Sequence, residues 1–226
     1  MKWYFWADVP RGGAANMAID DALLQQAADI GCLLRFYRWS QPTVSVGYFQ
    51  PHAAAVPAAK GCDVVRRPSG GGVVDHRADF TFSLVFCAEH PLFQVDRFDS
   101  YRRINHAVAA ALRDLGVDCR LHGDDVPQTV DRRVMQCFVT PARFDVVGAV
   151  GKLCGGAQRR RSEGMLHQGS IVVSLARDGL AAALFARFKE LLGTDVEAQT
   201  SWPEVESLAA TMVAEQYGNQ AWTHRR

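Results

Sequence analysis

The alternation of apolar and polar residues along the chain predicts many short strands and a few amphipathic helices. Strands are expected at 2–7, 33–38, 43–48, 63–65, 80–86, 117–121, 143–150, 152–158 and 165–175. Helices are expected at 14–30, 52–60, 99–115, 178–192 and 204–217, and residues 221–226 are expected to fray. The polar segment 122–133 is predicted to be a loop and the most mobile part of the chain.

The order of these elements favours one class of fold. The predicted strands arrive in pairs joined by short turns and do not alternate strictly with helices. This order favours an α/β chain of the α+β type, with a mixed, largely antiparallel sheet flanked by helices, over a doubly wound parallel sheet. Because 226 residues fit one large domain, we expect a single domain over residues 1–226.

Composition and charge argue against several classes of partner. Hydrophobic residues make up 48% of the chain and the net charge is +1, so no overall field attracts nucleic acid or an anionic membrane. No apolar run approaches the length of a membrane span, and residues 1–6 are too short for a signal peptide. The six cysteines lack the paired spacing of a zinc site, so we expect no metal. A reduced, cytoplasmic protein is therefore expected.

A glycine-rich segment, residues 66–76, lies between two predicted strands. Three consecutive glycines remove every Cβ from the turn, so the backbone can approach a ligand and direct its N–H groups inward. The two preceding arginines carry permanently charged donors suited to phosphate, carboxylate or carbonyl oxygen. A plain turn between strands is an equally good interpretation of the glycines alone. The candidate binding residues here are Arg66, Arg67, Ser69, Gly70, Gly71, Gly72 and His76.

A second glycine-rich segment follows a lysine at a predicted tight turn. Lysine side chains usually point to solvent, so a solvated hairpin is one interpretation. The other is a fixed ammonium that polarises a carbonyl group or holds an anion. The candidate residues are Lys152, Gly155, Gly156, Ala157 and Gln158.

Cys137 differs from the other cysteines in its sequence surroundings. Cys32 and Cys87 lie in apolar runs, where a free cysteine acts as a small buried hydrophobic residue. Cys137 follows the polar loop and precedes a proline turn, which favours partial exposure and, beside a cation, a thiolate. His167 begins an apolar run, where a structural role is the favoured interpretation.

Taken together, these segments resemble the family of lipoate–protein ligases and octanoyltransferases, which shares its catalytic fold with the biotin–protein ligases. The matching segments cover roughly residues 3–175 and occur in the family's order. They are Asn16-Met17-Ala18-Ile19-Asp20, Gly47-Tyr48-Phe49-Gln50, residues 66–72 with His76, Lys152 with residues 155–158, and His167-Gln168-Gly169-Ser170.

The resemblance implies a biotin/lipoate protein ligase-like catalytic domain with a tunnel for a medium-chain acyl or lipoyl group. It also implies transfer of that group to a lysine of a lipoyl domain. In such proteins the first glycine-rich loop holds the polar end of the acyl donor, and the lysine matching Lys152 contacts the activated carbonyl. The resemblance adds His167 and Gly169 to the binding residues.

Within the family, the cysteine-dependent octanoyltransferases have the most similar pattern: a cysteine and a phenylalanine, a proline turn, and an acidic residue before the lysine. Here these are Cys137, Phe138, Pro141, Asp145 and Lys152. The implied reaction moves an octanoyl or lipoyl group from acyl carrier protein, through a Cys137 thioester, to a lipoyl-domain lysine. Implied acceptors are the E2 subunits of 2-oxoacid dehydrogenases and the glycine cleavage H protein, and no cofactor is implied. The acidic Asp75 before His76, and Cys154, depart from the usual pattern.

Three alternatives remain open at this point. A lipoate–protein ligase would use ATP and Mg²⁺, would hold an adenylate with Arg66, Arg67 and Lys152, and would not need Cys137. An amidotransferase would move the group between two lipoyl-domain proteins. A non-catalytic subunit of a split ligase would bind the lipoyl group without turnover.

The transferase interpretation makes geometric predictions. Gly71 and Lys152 should line one cleft, and Cys137 should lie within several ångströms of the Lys152 ammonium. The loop at 122–133 should close over the acyl chain. Cys154 should share the lysine's face of the strand and compete as a nucleophile. The basic run 159–161 could meet acidic surfaces on a carrier protein.

Overall fold

Two β-sheets carry the segments singled out above. The structure is a computed structural model that describes residues 2–192 and 196–225. Its strands are β1 (Trp3–Ala7), β2 (Cys32–Tyr37), β3 (Thr43–Val46), β4 (Asp63–Arg66), β5 (Val74–Asp75), β6 (Phe80–Cys87), β7 (Cys119–Leu121), β8 (Val146–Gly148), β9 (Gly151–Arg161), β10 (Gly164–Ile171) and β11 (Val196–Gln199). Its α-helices are α1 (Gly13–Gln25), α2 (Ala27–Ile30), α3 (Pro91–Gln94), α4 (Arg97–Asp114), α5 (Arg177–Leu192), α6 (Pro203–Met212) and α7 (Gln220–Thr223).

The sheets differ in size and are both mixed. The large sheet has the strand order β11-β1-β2-β6-β10-β9-β8-β7, and the small sheet has the order β4-β3-β5. In the large sheet β1 is parallel to β2 and β11, and the other pairs are antiparallel. In the small sheet β3 is parallel to β4 and antiparallel to β5. The predicted mixed, largely antiparallel sheet flanked by helices is confirmed.

Helices cover both faces of the large sheet. Phe82, Leu84 and Phe86 of β6 join the core that contains buried residues of α4 and α5. Val85, between them in sequence, packs on the other side with α1 and α6. This alternation follows from the two-residue period of a strand, and the helices on both faces explain why every residue of β6 is buried. Within the described ranges, no helix combines the length and the apolar character needed to cross a membrane.

Most predicted elements are present with shifted bounds, and two helices differ. The helix predicted at 14–30 is divided at Gln26 into α1 and the single turn α2. At 52–60 a 3₁₀ turn, His52–Ala55, forms in place of a longer helix. At the other end of the chain, α6 continues into a π-helical turn, Val213–Tyr217.

The C-terminal segment is ordered, so the prediction that it frays is wrong for residues 221–225. The segment contains α7, and the backbone oxygens of Trp222 and Thr223 accept hydrogen bonds from Arg66 at 3.1 and 2.8 Å. A guanidinium that is fully buried needs such acceptors, and it fixes the backbone that provides them. Arg226 lies outside the described residues. The short edge strand β11 was also not predicted.

Candidate active site

Arg67 shapes the triglycine loop. Its guanidinium donates hydrogen bonds to the backbone oxygens of Gly70 and Gly72, each at 2.8 Å, and to the hydroxyl of Ser45 at 2.7 Å. Gly71 has a φ of +89°, a conformation that favours glycine. Within the described chain, no hydrogen bond uses the N–H groups of Gly70, Gly71 or Gly72. These amides therefore remain available to a ligand.

Arg66 supports the backbone behind the loop and lines neither cavity described below. Its guanidinium donates to the backbone oxygens of Gly47 (2.9 Å), Tyr48 (3.2 Å) and Gln50 (2.6 Å), besides those in α7. Burial lowers the pKa of Arg67, although its charge is still attracted to Cys137. The expectation that both arginines offer donors to a ligand is thus corrected: backbone oxygens occupy most of their N–H groups, and Arg67 alone faces a cavity.

Cys137 is held against the small sheet by its backbone. Its N–H donates to the oxygen of Val73 at 2.8 Å, and the N–H of Val73 donates to the oxygen of Met135 at 2.9 Å. Gln136 and Val73 form a parallel bridge, so the segment lies beside the residues that enter β5. The side chain of Gln50 also donates to the oxygen of Met135, at 3.0 Å. Cys137 is therefore placed by the small sheet and is 9% exposed.

Lys152 approaches Cys137 from the large sheet. The distance from Lys152 Nζ to Cys137 Sγ is 3.2 Å, and the distance to Asp145 Oδ2 is 2.7 Å. The lysine side chain crosses over Gly155, where a Cβ would overlap it. Burial lowers the pKa of Lys152, but the charges of Cys137 and Asp145 and their hydrogen bonds outweigh burial and raise it. The predicted proximity of Cys137 and Lys152 is confirmed.

Tyr101 in α4 completes this cluster and was missed in the sequence. Its hydroxyl donates to Asp145 Oδ1 at 2.6 Å and accepts the N–H of Gly156 at 2.8 Å. Burial, followed by the charge of Asp145, raises the pKa of Tyr101 well above its usual value. A signal was present, because Tyr101 precedes Ile104 and Val108 at helical spacing on the buried face. Such a signal does not distinguish a site residue from a core residue.

Two cavities meet at Cys137. The outer cavity has a volume of 290 Å³ and the inner one a volume of 30 Å³. Both are lined by Gly71, Cys137, Gly156 and Ala157. The outer cavity also has Gly70, Gly72, Tyr101, Asp145, Lys152 and Gln158 in its wall, and the inner one has Met17, Arg67, Val74, His76, Gly155 and Gly169. The predicted single cleft with Gly71 and Lys152 in its wall is confirmed.

The inner cavity is narrow in this structure. Its 30 Å³ would hold about two water molecules. The wall contains apolar residues and glycines, and the polar side chains of Arg67, His76, Thr81, Gln168 and Ser170 also line it. His76 bonds Ser45 Oγ at 2.6 Å and Asp79 Oδ2 at 2.8 Å, and it stacks on Trp39. An acyl chain in this cavity would therefore displace side chains, while His76 stays fixed by its two hydrogen bonds.

Two further candidates, Ser69 and His167, do not line either cavity. The hydroxyl of Ser69 donates to the side chain of Gln168, which does face the inner cavity. His167 lies under Gly156 in contact with the ring of Tyr101, and burial lowers its pKa to about 3. His167 is thus a neutral, buried residue beneath the floor of the site, as the structural interpretation predicts.

The expectation that Cys154 shares the cleft is wrong. Its thiol is fully buried in the core, and burial raises its pKa well above the usual value. The reason lies in the pairing of β8 with β9: Val146 pairs with Cys154 and the next residue, Val147, pairs with Lys152. The extra residue in β9 is a β-bulge, which breaks the alternation on which the expectation depended.

Two other geometric expectations find no supporting contact in this structure and stay predictions. Residues 122–133 contribute no side chain to the wall of either cavity, so the loop does not cover the cleft in this structure. The basic run 159–161 is largely bonded within the molecule. Arg159 donates to the oxygen of Pro68, Arg160 donates to that of Phe93, and Arg161 forms an ion pair with Asp21.

In the described part of the chain, no group of three or more His, Cys, Asp or Glu residues could hold a metal ion.

The fold with this cleft is that of the lipoate protein ligases. One solved structure, that of Ta0514, a putative lipoate protein ligase from T. acidophilum with bound lipoic acid, superposes with a TM-score of 0.80. It is 24% identical, over 100% of both chains. A second, that of a lipoate-protein ligase A bound with ATP, gives a TM-score of 0.81 at 23% identity over 99% of this chain and 99% of its own. At these identities the likeness establishes the fold alone.

Sequence comparison establishes the family. The chain belongs to the lipoyl protein ligase A/B catalytic domain family, whose model matches residues 13–216. A relative named octanoyltransferase LipM, from Carboxydothermus hydrogenoformans, is 35% identical over 84% of this chain and 71% of its own. LipM of Moorella thermoacetica is 36% identical over 75% of this chain and 64% of its own. LipM of Symbiobacterium thermophilum is 32% identical over 92% of this chain and 84% of its own.

Proposed function

We propose that this protein is an octanoyltransferase of protein lipoylation that works through a thioester on Cys137. The observation that carries the proposal is the 3.2 Å contact between Cys137 Sγ and Lys152 Nζ at the junction of the two cavities. A thiol beside a buried ammonium is the arrangement expected of an activated nucleophile. The relatives named octanoyltransferase LipM support the same reaction.

The first half of the reaction loads Cys137. The Cys137 thiolate adds to the thioester carbonyl of the octanoyl donor, and the N–H groups of Gly71 and Gly72 with the Lys152 ammonium face the oxyanion. The bond between the carbonyl carbon and the donor sulfur then breaks. The departing thiolate takes a proton from Lys152, which leaves octanoyl-Cys137, a neutral Lys152 and the free donor thiol. One thioester replaces another, so no nucleotide or other cofactor is needed.

The second half makes the amide. The neutral amine of the acceptor lysine adds to the acyl carbonyl and its proton passes to Lys152, while the Cys137 thiolate leaves. The electrostatics support this use of Lys152. In the acyl-enzyme Cys137 no longer carries a charge, so burial opposes the ammonium and only Asp145 still favours it. The pKa of Lys152 therefore falls on acylation and rises again when the thiolate is restored.

The two cavities suggest where each substrate lies. The inner cavity, with Met17 and Val74 in its wall, would take the acyl chain. The outer cavity opens beside the exposed Phe98 and the arginines Arg97 and Arg143, which suits the arm and the acidic surface of a carrier. Acyl carrier protein is the proposed donor. The E2 subunits of 2-oxoacid dehydrogenases and the glycine cleavage H protein are the proposed acceptors.

A reconstituted transfer tests the proposal. The protein is mixed with octanoyl-acyl carrier protein and an apo lipoyl domain, and the mass of the lipoyl domain is followed with and without ATP and Mg²⁺. We expect octanoylation at the same rate in both. A requirement for free octanoate or lipoate with ATP would establish a ligase instead. Transfer solely from an octanoylated H protein would establish an amidotransferase, and no transfer by this chain alone would favour a binding subunit.

A further inference from the structure

We propose that Tyr101 is a positioning residue that sets the charge pair of Lys152 and Cys137 through Asp145. The inference extends the proposed function, since it assigns a role at the same site to a residue outside the predicted set. It depends on one oxygen atom, the hydroxyl of Tyr101, which contacts both a cavity-lining backbone group and the carboxylate that holds the lysine.

The first observation concerns the edge of β9. β8 pairs with β9 from Gly151 to Cys154, and the described chain provides no further strand along that edge. At Gly156 the backbone N–H points away from β10 and donates to Tyr101 at 2.8 Å. The phenol therefore takes the place of a neighbouring strand, and it fixes a residue that lines both cavities beside Cys137.

The second observation concerns Asp145, whose two oxygens have separate partners. Oδ1 accepts from Tyr101 at 2.6 Å. Oδ2 accepts from the N–H of Ala142 at 2.6 Å and lies 2.7 Å from Lys152 Nζ. A carboxylate bound at both ends cannot rotate without losing a hydrogen bond. The position of the Lys152 ammonium thus depends on the phenol of Tyr101, to which it is linked through the Asp145 carboxylate.

The direction of the effect follows from these contacts. Without the phenol, Asp145 Oδ1 loses its donor and the carboxylate becomes more basic and freer to turn. It then competes more strongly for the Lys152 ammonium, which is drawn away from Cys137. The thiolate loses stabilisation, so the Cys137 thiol should ionise at higher pH.

The chain offers a matched control in Tyr217. Its hydroxyl donates to a carboxylate, Asp21 Oδ2, at 2.8 Å, as that of Tyr101 does to Asp145. Tyr217 is buried where Tyr101 is half-buried, and it lines neither cavity. Tyr217→Phe removes the same kind of hydrogen bond at a place outside both cavities. If tyrosine hydroxyls at these positions serve only packing, Tyr101→Phe and Tyr217→Phe should behave alike.

The experiment measures the ionisation of Cys137 directly. The rate of Cys137 alkylation by iodoacetamide, located by peptide mapping, is followed against pH in the wild type and in both variants. We expect a higher midpoint in Tyr101→Phe and an unchanged midpoint in Tyr217→Phe. With octanoyl-carrier protein, we expect acylation of Tyr101→Phe to fall by about 10-fold or more at saturating donor, with KM unchanged, because misplacement of a reacting group reduces the chemical step.

A double variant tests whether Tyr101 acts through Lys152. In the Lys152→Ala background, Tyr101→Phe should add no further shift in the alkylation midpoint, since the ammonium it positions is gone. An equal shift in Tyr217→Phe, no shift in Tyr101→Phe, or a full additional shift in the Lys152→Ala background would overturn the inference. Alkylation needs no octanoyl donor. Suppose that the variants show the expected alkylation midpoints but the protein never accepts an octanoyl group. That result would contradict the proposed function and not the role of Tyr101.

Discussion

A buried ammonium is stable only when it is paired, and Lys152 has two partners. Its side chain is 4% exposed and that of Asp145 is 1% exposed. Replacement of one partner in such a group leaves the other as an uncompensated buried charge. Lys152 therefore contributes both to folding and to the reactivity of Cys137, and substitutions at this residue must be designed to separate the two contributions.

We expect Lys152→Ala to reduce transfer by about 100-fold or more, as the loss of an oxyanion donor typically does. It should also destabilise the protein, by about 3–5 kcal/mol, because Asp145 is left unpaired. The double variant Lys152→Ala with Asp145→Asn removes that charge and should recover much of the stability but none of the activity. Thermal unfolding and single-turnover rates measure the two effects. Recovery of transfer in the double variant would assign the loss to folding.

His167 makes stability depend on pH. Its pKa is about 3 in the folded protein, because of burial, against 6.5 ordinarily. The folded protein disfavours the charged imidazole, so protonation favours the unfolded state. The contribution of His167 to the free energy of unfolding is therefore complete above pH 6.5 and is lost as pH falls from 6.5 towards 3. Between pH 7 and 5, His167→Gln should lose about 2 kcal/mol less stability than the wild type. Urea unfolding at the two pH values measures this, and an identical loss in both proteins would contradict it. The pKa of His90 is lowered to about 4, mainly by burial. Its effect on the pH dependence of stability is the same in the wild type and in His167→Gln, so it cancels in the comparison.

At the scale of elements, α7 has a larger role than its four residues suggest. Its backbone oxygens bind Arg66, whose guanidinium also fixes the oxygens of Gly47 and Gln50 beside the triglycine loop. Trp222 returns a hydrogen bond from its indole N–H to the oxygen of Arg66. The C-terminal segment is therefore part of the support of the site.

Truncation after Asn219 should accordingly destabilise the protein by roughly 3 kcal/mol or more, because a buried guanidinium loses charged hydrogen bonds. Transfer should fall with it, since Gly47 and Gln50 lose their support. Arg225→Ala is the control: it removes a cation stacked on Trp222 but retains α7. Equal thermal stability of the truncated protein and the wild type would contradict this role for α7.

The elements also indicate what sequence patterns can and cannot specify. The apolar runs predict β2, β6 and β10 well, because these strands lie inside the sheet and every one of their residues is buried. The sequence pattern misses β11 at the sheet edge, because a single alternation of apolar residues with Glu197 and Gln199 over four residues is too short to stand out. It misses the bulge in β9, because one extra residue is invisible to a two-residue period. That omission produced the wrong orientation of Cys154.

At the scale of the whole molecule, the site is formed between the two sheets. The small sheet holds Cys137 through Val73, the large sheet carries Lys152 on β9, and α4 supplies Tyr101. The fifteen-residue spacing from Cys137 to Lys152 and the family resemblance were enough to predict their proximity. The hydrogen bond between Tyr101 and Asp145 joins two residues that are 44 positions apart in the sequence. No local pattern encodes such a pairing, so it could not be predicted from the sequence.

The loop at 122–133 gives a test at this scale. Because its residues line neither cavity, replacement of residues 124–131 by glycine and serine should change the rate of Cys137 acylation by no more than about twofold, as surface changes usually do. Hydrolysis of the octanoyl-enzyme should also be unchanged. Mass spectrometry over time measures both rates. Faster hydrolysis in the variant would show that the loop closes over the acyl chain when substrate is bound.

The central claim is that Cys137 carries the acyl group, and mass spectrometry with peptide mapping tests it most directly. The protein is incubated with octanoyl-acyl carrier protein in the absence of ATP, and the adduct is located. We predict one octanoyl group per chain on Cys137, retained in Cys154→Ala and lost in Cys137→Ser and Cys137→Ala. An absence of adduct in the wild type, together with ATP-dependent lipoylation by Cys137→Ala, would contradict the account and establish a ligase.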